Sequence, residues 1–122
     1  MLNLNTVMIG TEDLDRLKDF YDKVLGEPGW AEGGYIGWQV GAGMLMIGPH
    51  SEVKGRNESP GRIIFNFETS EVKEEFERIK GLGAEVSHEP YQPGGEAMDM
   101  WLATFADPDG NLFQLASPMP TS

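Results

Sequence analysis

The sequence predicts an α+β fold built from one strand–helix–three-strand unit used twice. Three observations carry this. Asn5–Gly26 and Ile63–Gly83 repeat the same strand–turn–helix pattern, with Thr11 matching Thr69, Leu14 matching Val72, and Leu25-Gly26 matching Leu82-Gly83. Sixteen glycines and eight prolines, spread along the chain, imply short strands and many turns. The length of 122 residues with 39% hydrophobic content suits one ordinary core. Equivalent strands of a duplicated unit line a common cavity, so chemistry is sought at positions that match between the halves.

In the first half, Asn5–Gly10 reads as a short strand. Thr11 or Asp13 suits the cap of the following helix, because a short oxygen side chain accepts the free first-turn amides. Leu14, Leu17, Phe20, Tyr21, Val24 and Leu25 recur at helical spacing, leaving Asp15, Arg16, Asp19 and Asp22 to water. Gly26 and Pro28 end the helix. Trp30–Ala31, Tyr35–Val40 and Met44–Ile47 follow as strands, separated by Gly33-Gly34 and Gly41-Ala42-Gly43.

The polar stretch Pro49–Gly61 reads as a linker, giving module one as 1–50, a linker of 51–61 and module two as 62–118. Ile63–Glu68 repeats the opening strand, and Val72, Phe76, Ile79 and Leu82 mark the second helix. Glu71, Glu74 and Glu75 sit at its start, where the helix dipole favours acids. Glu85–Tyr91, Met98–Phe105 and Leu112–Ser117 read as strands, with a flexible loop at 92–95. Asp107-Pro108-Asp109-Gly110-Asn111 is a hairpin signal: proline presets one central φ and glycine supplies a positive one. The tail Pro118–Ser122 is expected to fray.

Twenty acidic against nine basic residues give a net charge of −11, which repels nucleic-acid phosphates and anionic membranes. The absence of cysteine removes disulfides, thiolate metal sites and cysteine nucleophiles. Neither a signal peptide nor a membrane-length apolar run is seen, so a cytoplasmic protein is expected. Phosphate loops, dinucleotide fingerprints and nucleophile elbows are also missing.

The segments Asp13-Leu14…Phe20-Tyr21…Val24-Leu25-Gly26, Gly83-Ala84-Glu85-Val86 and Ala103–Leu115, taken in order, resemble the vicinal oxygen chelate superfamily. This group includes glyoxalase I, fosfomycin and bleomycin resistance proteins and extradiol dioxygenases. The resemblance implies two βαβββ modules forming curved mixed sheets around a shared cavity, and a homodimer whose modules pair within a chain or are swapped between chains. It also implies, for the enzymes, a divalent metal held by His, Glu or Gln from the first and last strands of each module.

By strand alignment those ligand positions fall at Thr6, Met46, Ile64 and Gln114, with Asn5, Leu45, Ile63 and Phe113 as one-residue alternatives. None is His, Asp or Glu, and a thioether suits hard divalent ions poorly. No metal and no cofactor are therefore expected. His50 and His88 match no cavity position and read as surface imidazoles.

Period-two alternation groups Thr6 with Met8, Met44 with Met46, Ile64 with Asn66 and Leu112 with Gln114. The ligand-binding set expected from this is Met8, Trp38, Met44, Met46, Asn66, Trp101 and Gln114, with Gln39 and Met100 as further walls. Which face each strand turns inward is left open. The expected function is capture of a small, partly apolar ligand, cationic to suit the charge. Two alternatives stand: a metal-dependent lyase, isomerase or dioxygenase, and a metal-free acid–base enzyme with Glu68 or His88 as the base.

Overall fold

The computed structural model describes residues 1–118; the last four residues of the expected frayed tail lie outside the described part. Two compact units divide the chain, one spanning Met1–Arg56 and the other beginning at Asn57. Each contains one helix and one four-stranded mixed sheet, an α+β architecture.

In the first unit, β1 (Thr6–Thr11), α1 (Leu14–Leu25), β2 (Trp30–Glu32), β3 (Tyr35–Val40) and β4 (Gly43–Pro49) form a sheet of order β1-β4-β3-β2. β1 and β4 run parallel, and the other pairs are antiparallel. Asp13 caps α1 by accepting from the Arg16 amide at 3.2 Å, and Thr11 accepts from the Asp13 amide at 3.0 Å. Leu17, Tyr21 and Val24 then bury one stripe of the helix. They pack on Ile9, Ile36, Trp38, Leu45 and Ile47, all buried. Gly26 ends α1 at φ 94°, a left-handed region that favours glycine. Asp22 was expected to face water, but it is half-buried and paired with Lys18, whose pKa is raised chiefly by that hydrogen bond.

In the second unit, β5 (Phe65–Glu68), α2 (Val72–Gly81), β6 (Glu85–Tyr91), β7 (Leu102–Ala106) and β8 (Leu112–Ala116) repeat that order as β5-β8-β7-β6. The repeat extends to its details. Thr69 accepts from the Glu71 amide at 3.0 Å as Thr11 does from Asp13, and Gly83 turns at φ 92° as Gly26 does. The core here is dominated by phenylalanine: Phe113 lies against Phe65, Phe67 and Phe105, and Phe105 stacks on Phe76 of α2.

Two strand expectations are corrected. β5 starts at Phe65 rather than Ile63, because Pro60–Arg62 makes a 3₁₀ turn and the parallel partner is first met at Phe65↔Phe113. β7 starts at Leu102 rather than Met98. Residues 98–100 are tied in local turns, and the ladder ends at Leu102↔Ala116, next to Ser117 and the donor-less Pro118.

Candidate functional site

Each sheet has one face under its helix and one face free of it. Register and alternation decide which side chain goes where. In the first unit, Thr6, Met8, Met44, Met46, Tyr35 and Gln39 lie away from α1, together with Trp30 and Glu32 of the edge strand β2. Gly10, Gly37 and Gly48 add no side chain to this face, and neighbouring side chains lie over all three. The Tyr35 ring occupies the place that a β-carbon on Gly48 would need. Over Gly37, Met44 Sδ lies 3.1 Å and Trp30 Cε3 lies 3.6 Å from where a β-carbon would sit. This face is mostly apolar, and its one carboxylate is Glu32 at the edge.

In the second unit, Asn66 and Glu68 of β5, Leu112, Gln114 and Ala116 of β8, Leu102 and Thr104 of β7, and His88 and Tyr91 of β6 lie away from α2. Gln114 Nε2 donates to Thr104 Oγ1 at 3.2 Å. The His88 ring stands 4.2 Å from that of Tyr91, and its Nδ1 is 2.8 Å from the Glu89 carbonyl oxygen. A carbonyl can only accept, so Nδ1 carries the proton, and in the neutral ring Nε2 is the accepting nitrogen. His50 is in the opposite state, since its Nδ1 accepts from the Glu52 amide at 3.2 Å.

The two faces carry equivalent rows running straight across four strands. In the first unit the row is Met8, Met46, Gly37 and Trp30. In the second it is Asn66, Gln114, Thr104 and His88. At roughly 4.8 Å between strands, each row spans roughly 14 Å. Duplication has kept the geometry and reversed the chemistry, apolar in one unit and polar in the other.

Several expected site residues are relocated. Trp38 is 1% exposed, lies under α1, and donates from Nε1 to the Gly26 carbonyl at 2.9 Å. It is a core residue, and the ligand-binding expectation for it is corrected. The apolar set Ile36, Trp38 and Val40 within β3 was the available signal, because one strand face was already fully apolar. Trp101 lies on the helix side, with Lys73 Nζ 3.8 Å above its ring. That pair borders a groove of about 330 Å³ with Ser70, Asp99 and Ser117. Gln39 is tied to the carbonyls of Gly41 and Gly43. His88, read as a surface imidazole with a catalytic base as the alternative, stands in the polar row, and Trp30, absent from the expected set, stands in the apolar one. The β6 bulges on either side of His88 hid its parity in the sequence.

A duplicated βαβββ unit, with one sheet face under its helix and one away from it in each half, defines the class of fold. A model of the Glyoxalase/Bleomycin resistance protein/Dioxygenase superfamily matches residues 3–115, and the chain belongs to that superfamily. Among solved structures it is similar to a glyoxalase-related enzyme from Fulvimarina pelagi, at 20% identity and a TM-score of 0.74, covering 97% of this chain and 89% of that one. It is also similar to a glyoxalase/bleomycin resistance protein from Albidiferax ferrireducens T118, at 24% identity and a TM-score of 0.73, covering 94% and 98%. A third is a glyoxalase/bleomycin resistance protein/dioxygenase family enzyme from Burkholderia phytofirmans PsJN, at 21% identity and a TM-score of 0.73, covering 97% and 100%. No functionally curated protein matches the chain.

The divalent metal of the family's enzymes does not fit the donors present. On the first and last strands the helix-free faces offer Thr6, Met8, Met44 and Met46 in one unit, and Asn66, Glu68 and Gln114 in the other. Only Glu68 among these is ionisable, and Ile64 lies before β5 with no donor atom. Protein sites for such divalent ions are built chiefly on carboxylates or imidazoles, with amide oxygens as additional ligands. Among the described residues, no three His, Asp or Glu side chains gather to hold one. Glu68 is exposed at the end of β5, opposite Ala116.

Proposed function

We propose that the protein binds a small, partly apolar ligand on the helix-free face of its first unit, without the family's divalent metal. The observation that carries this is the row Met8–Met46–Gly37–Trp30, flanked by Met44 and Tyr35. Methionine adapts its shape to irregular apolar ligands. Glu32 and the charge of −11 favour a cation, which Trp30 and Tyr35 can hold by their ring faces. Asn66 and Gln114 are proposed separately as polar anchors for a ligand bound on the second unit's own face. The reading takes the protein as a cytoplasmic homodimer, the family's usual assembly.

The test is a thermal-shift screen of cationic aromatic compounds, followed by titration of a hit. Met46→Lys places a like charge in the row and is expected to weaken a cationic hit at least about tenfold, or about 1.4 kcal/mol. Unchanged affinity in both Met46→Lys and Trp30→Ala overturns the reading. Asn66→Leu combined with Gln114→Leu tests the polar contacts separately.

The fixed tautomer of His88 favours a second reading. An Nε2 lone pair in a polar row with Thr104 and Gln114 is equipped to take a proton from a bound substrate. An activity found for the protein should then show an acidic-limb ionisation that is lost in His88→Gln. A pH–rate profile identical in that variant counts against His88.

A further inference from the structure

We propose that the methionine row of the first unit is also a binding site for a soft monovalent metal ion, Cu(I). Three methionines share this face of the sheet. Met8 and Met46 are register partners on adjacent parallel strands, and Met44 lies two residues before Met46 on the same face. The Met44 sulfur does not extend along its own row. It leans over Gly37, which is itself the register partner of Met46 on the other side. The benzene edge of the Trp30 indole enters the same space from β2. Glycine at 37 makes this possible, because any side chain there would fill the volume that sulfur and ring now share.

The donor chemistry selects the ion. Neutral thioethers bind hard divalent cations poorly and soft monovalent copper well, and three of them satisfy its low coordination number. Glu32, on the same face, and the overall charge of −11 draw a cation towards the face. The residues that make this unit unfit for the family's divalent ion therefore fit a different one. Met8 is 48% exposed, so an ion can reach the row without opening the core. The site shares a face with the proposed organic ligand but does not rest on it: a metal titration succeeds or fails whatever a compound screen shows.

The experiment is a competition titration of the full-length protein with Cu(I) under anaerobic reducing conditions, against a colorimetric Cu(I) chelator. Ag(I) serves as a redox-inert probe with ¹³C-methyl-methionine NMR. One Cu(I) per chain is expected, with Ag(I) shifting the methyl signals of Met8, Met44 and Met46 and quenching Trp30 fluorescence. Met44→Leu and Met46→Leu keep side-chain volume and are expected each to weaken Cu(I) by about tenfold or more, since each removes one of three soft donors. Met98→Leu with Met100→Leu should leave affinity unchanged. Failure to compete with the chelator overturns the proposal. So does affinity that survives the Met44 and Met46 changes, or that is lost instead in His50→Gln with His88→Gln. The methyl spectrum of the unaltered protein decides the matter even if a variant fails to fold.

Discussion

Phe113→Ala is expected to destabilise the second unit by about 3–5 kcal/mol, the cost of removing a fully buried aromatic ring from a packed core. Phe113 is 0% exposed, and its centroid lies 6.0 Å from that of Phe65, 5.6 Å from Phe67 and 5.7 Å from Phe105. Phe105 passes the packing on to Phe76 of α2 at 5.2 Å. The ring thus joins three strands to the helix. Phe113→Leu, which keeps most of the volume, should cost about 1–2 kcal/mol. Urea unfolding of both variants measures this. A loss below about 1 kcal/mol for Phe113→Ala would mean that the cluster relaxes into the cavity, contrary to close-packed behaviour.

Asp107→Ala is expected to cost about 2–4 kcal/mol, because a buried carboxylate accepting several amides is worth more than an ordinary turn contact. Asp107 is 2% exposed. Its Oδ1 accepts from the amides of Asp109 at 2.9 Å and Asn111 at 3.0 Å, and Oδ2 accepts from Asn111 Nδ2 at 3.0 Å. Gly110 turns at φ 82°, closing the Gly110 amide onto the Asp107 carbonyl at 2.9 Å. The turn also anchors the start of its unit, since Asn57 donates from its backbone to the Asp109 carbonyl at 2.8 Å and from its side chain to Asn111 Oδ1 at 3.0 Å. Asp107→Asn retains an acceptor without the charge and should cost about half as much. Thermal or urea unfolding gives both values, and an Asp107→Asn loss equal to that of alanine would show that charge, not geometry, carries the turn. Because β7 and β8 meet in this hairpin, the same variants should loosen the Gln114–Thr104 hydrogen bond.

The helices were legible because their signals are local. Leu14 to Leu25 and Val72 to Ile79 have the apolar spacing of one buried stripe, and Gly26 and Gly83 mark the same exit. The hairpin was legible for the same reason, with every partner of Asp107 in it lying within four residues. The site was only half legible. Met8, Met44, Met46, Asn66 and Gln114 share the faces that alternation gives them, while Trp38 and Trp101 fall on the helix sides. An indole reads in a sequence as a ligand wall or as core with equal ease, and the helix covering one face of the sheet decides between them.

What the sequence by itself determined is the duplicated order of elements, the superfamily, and the absence of hard metal donors at Thr6, Met46 and Ile64. Each follows from residue type and local spacing. What only the tertiary structure decided is which residues stand side by side: Met8 with Met46, Gly37 and Trp30, and Asn66 with Gln114, Thr104 and His88. Those rows are set by hydrogen-bond register between strands distant in the chain, and by bulges such as those around His88. A slip of one residue there moves a side chain to the other face without changing any local signal.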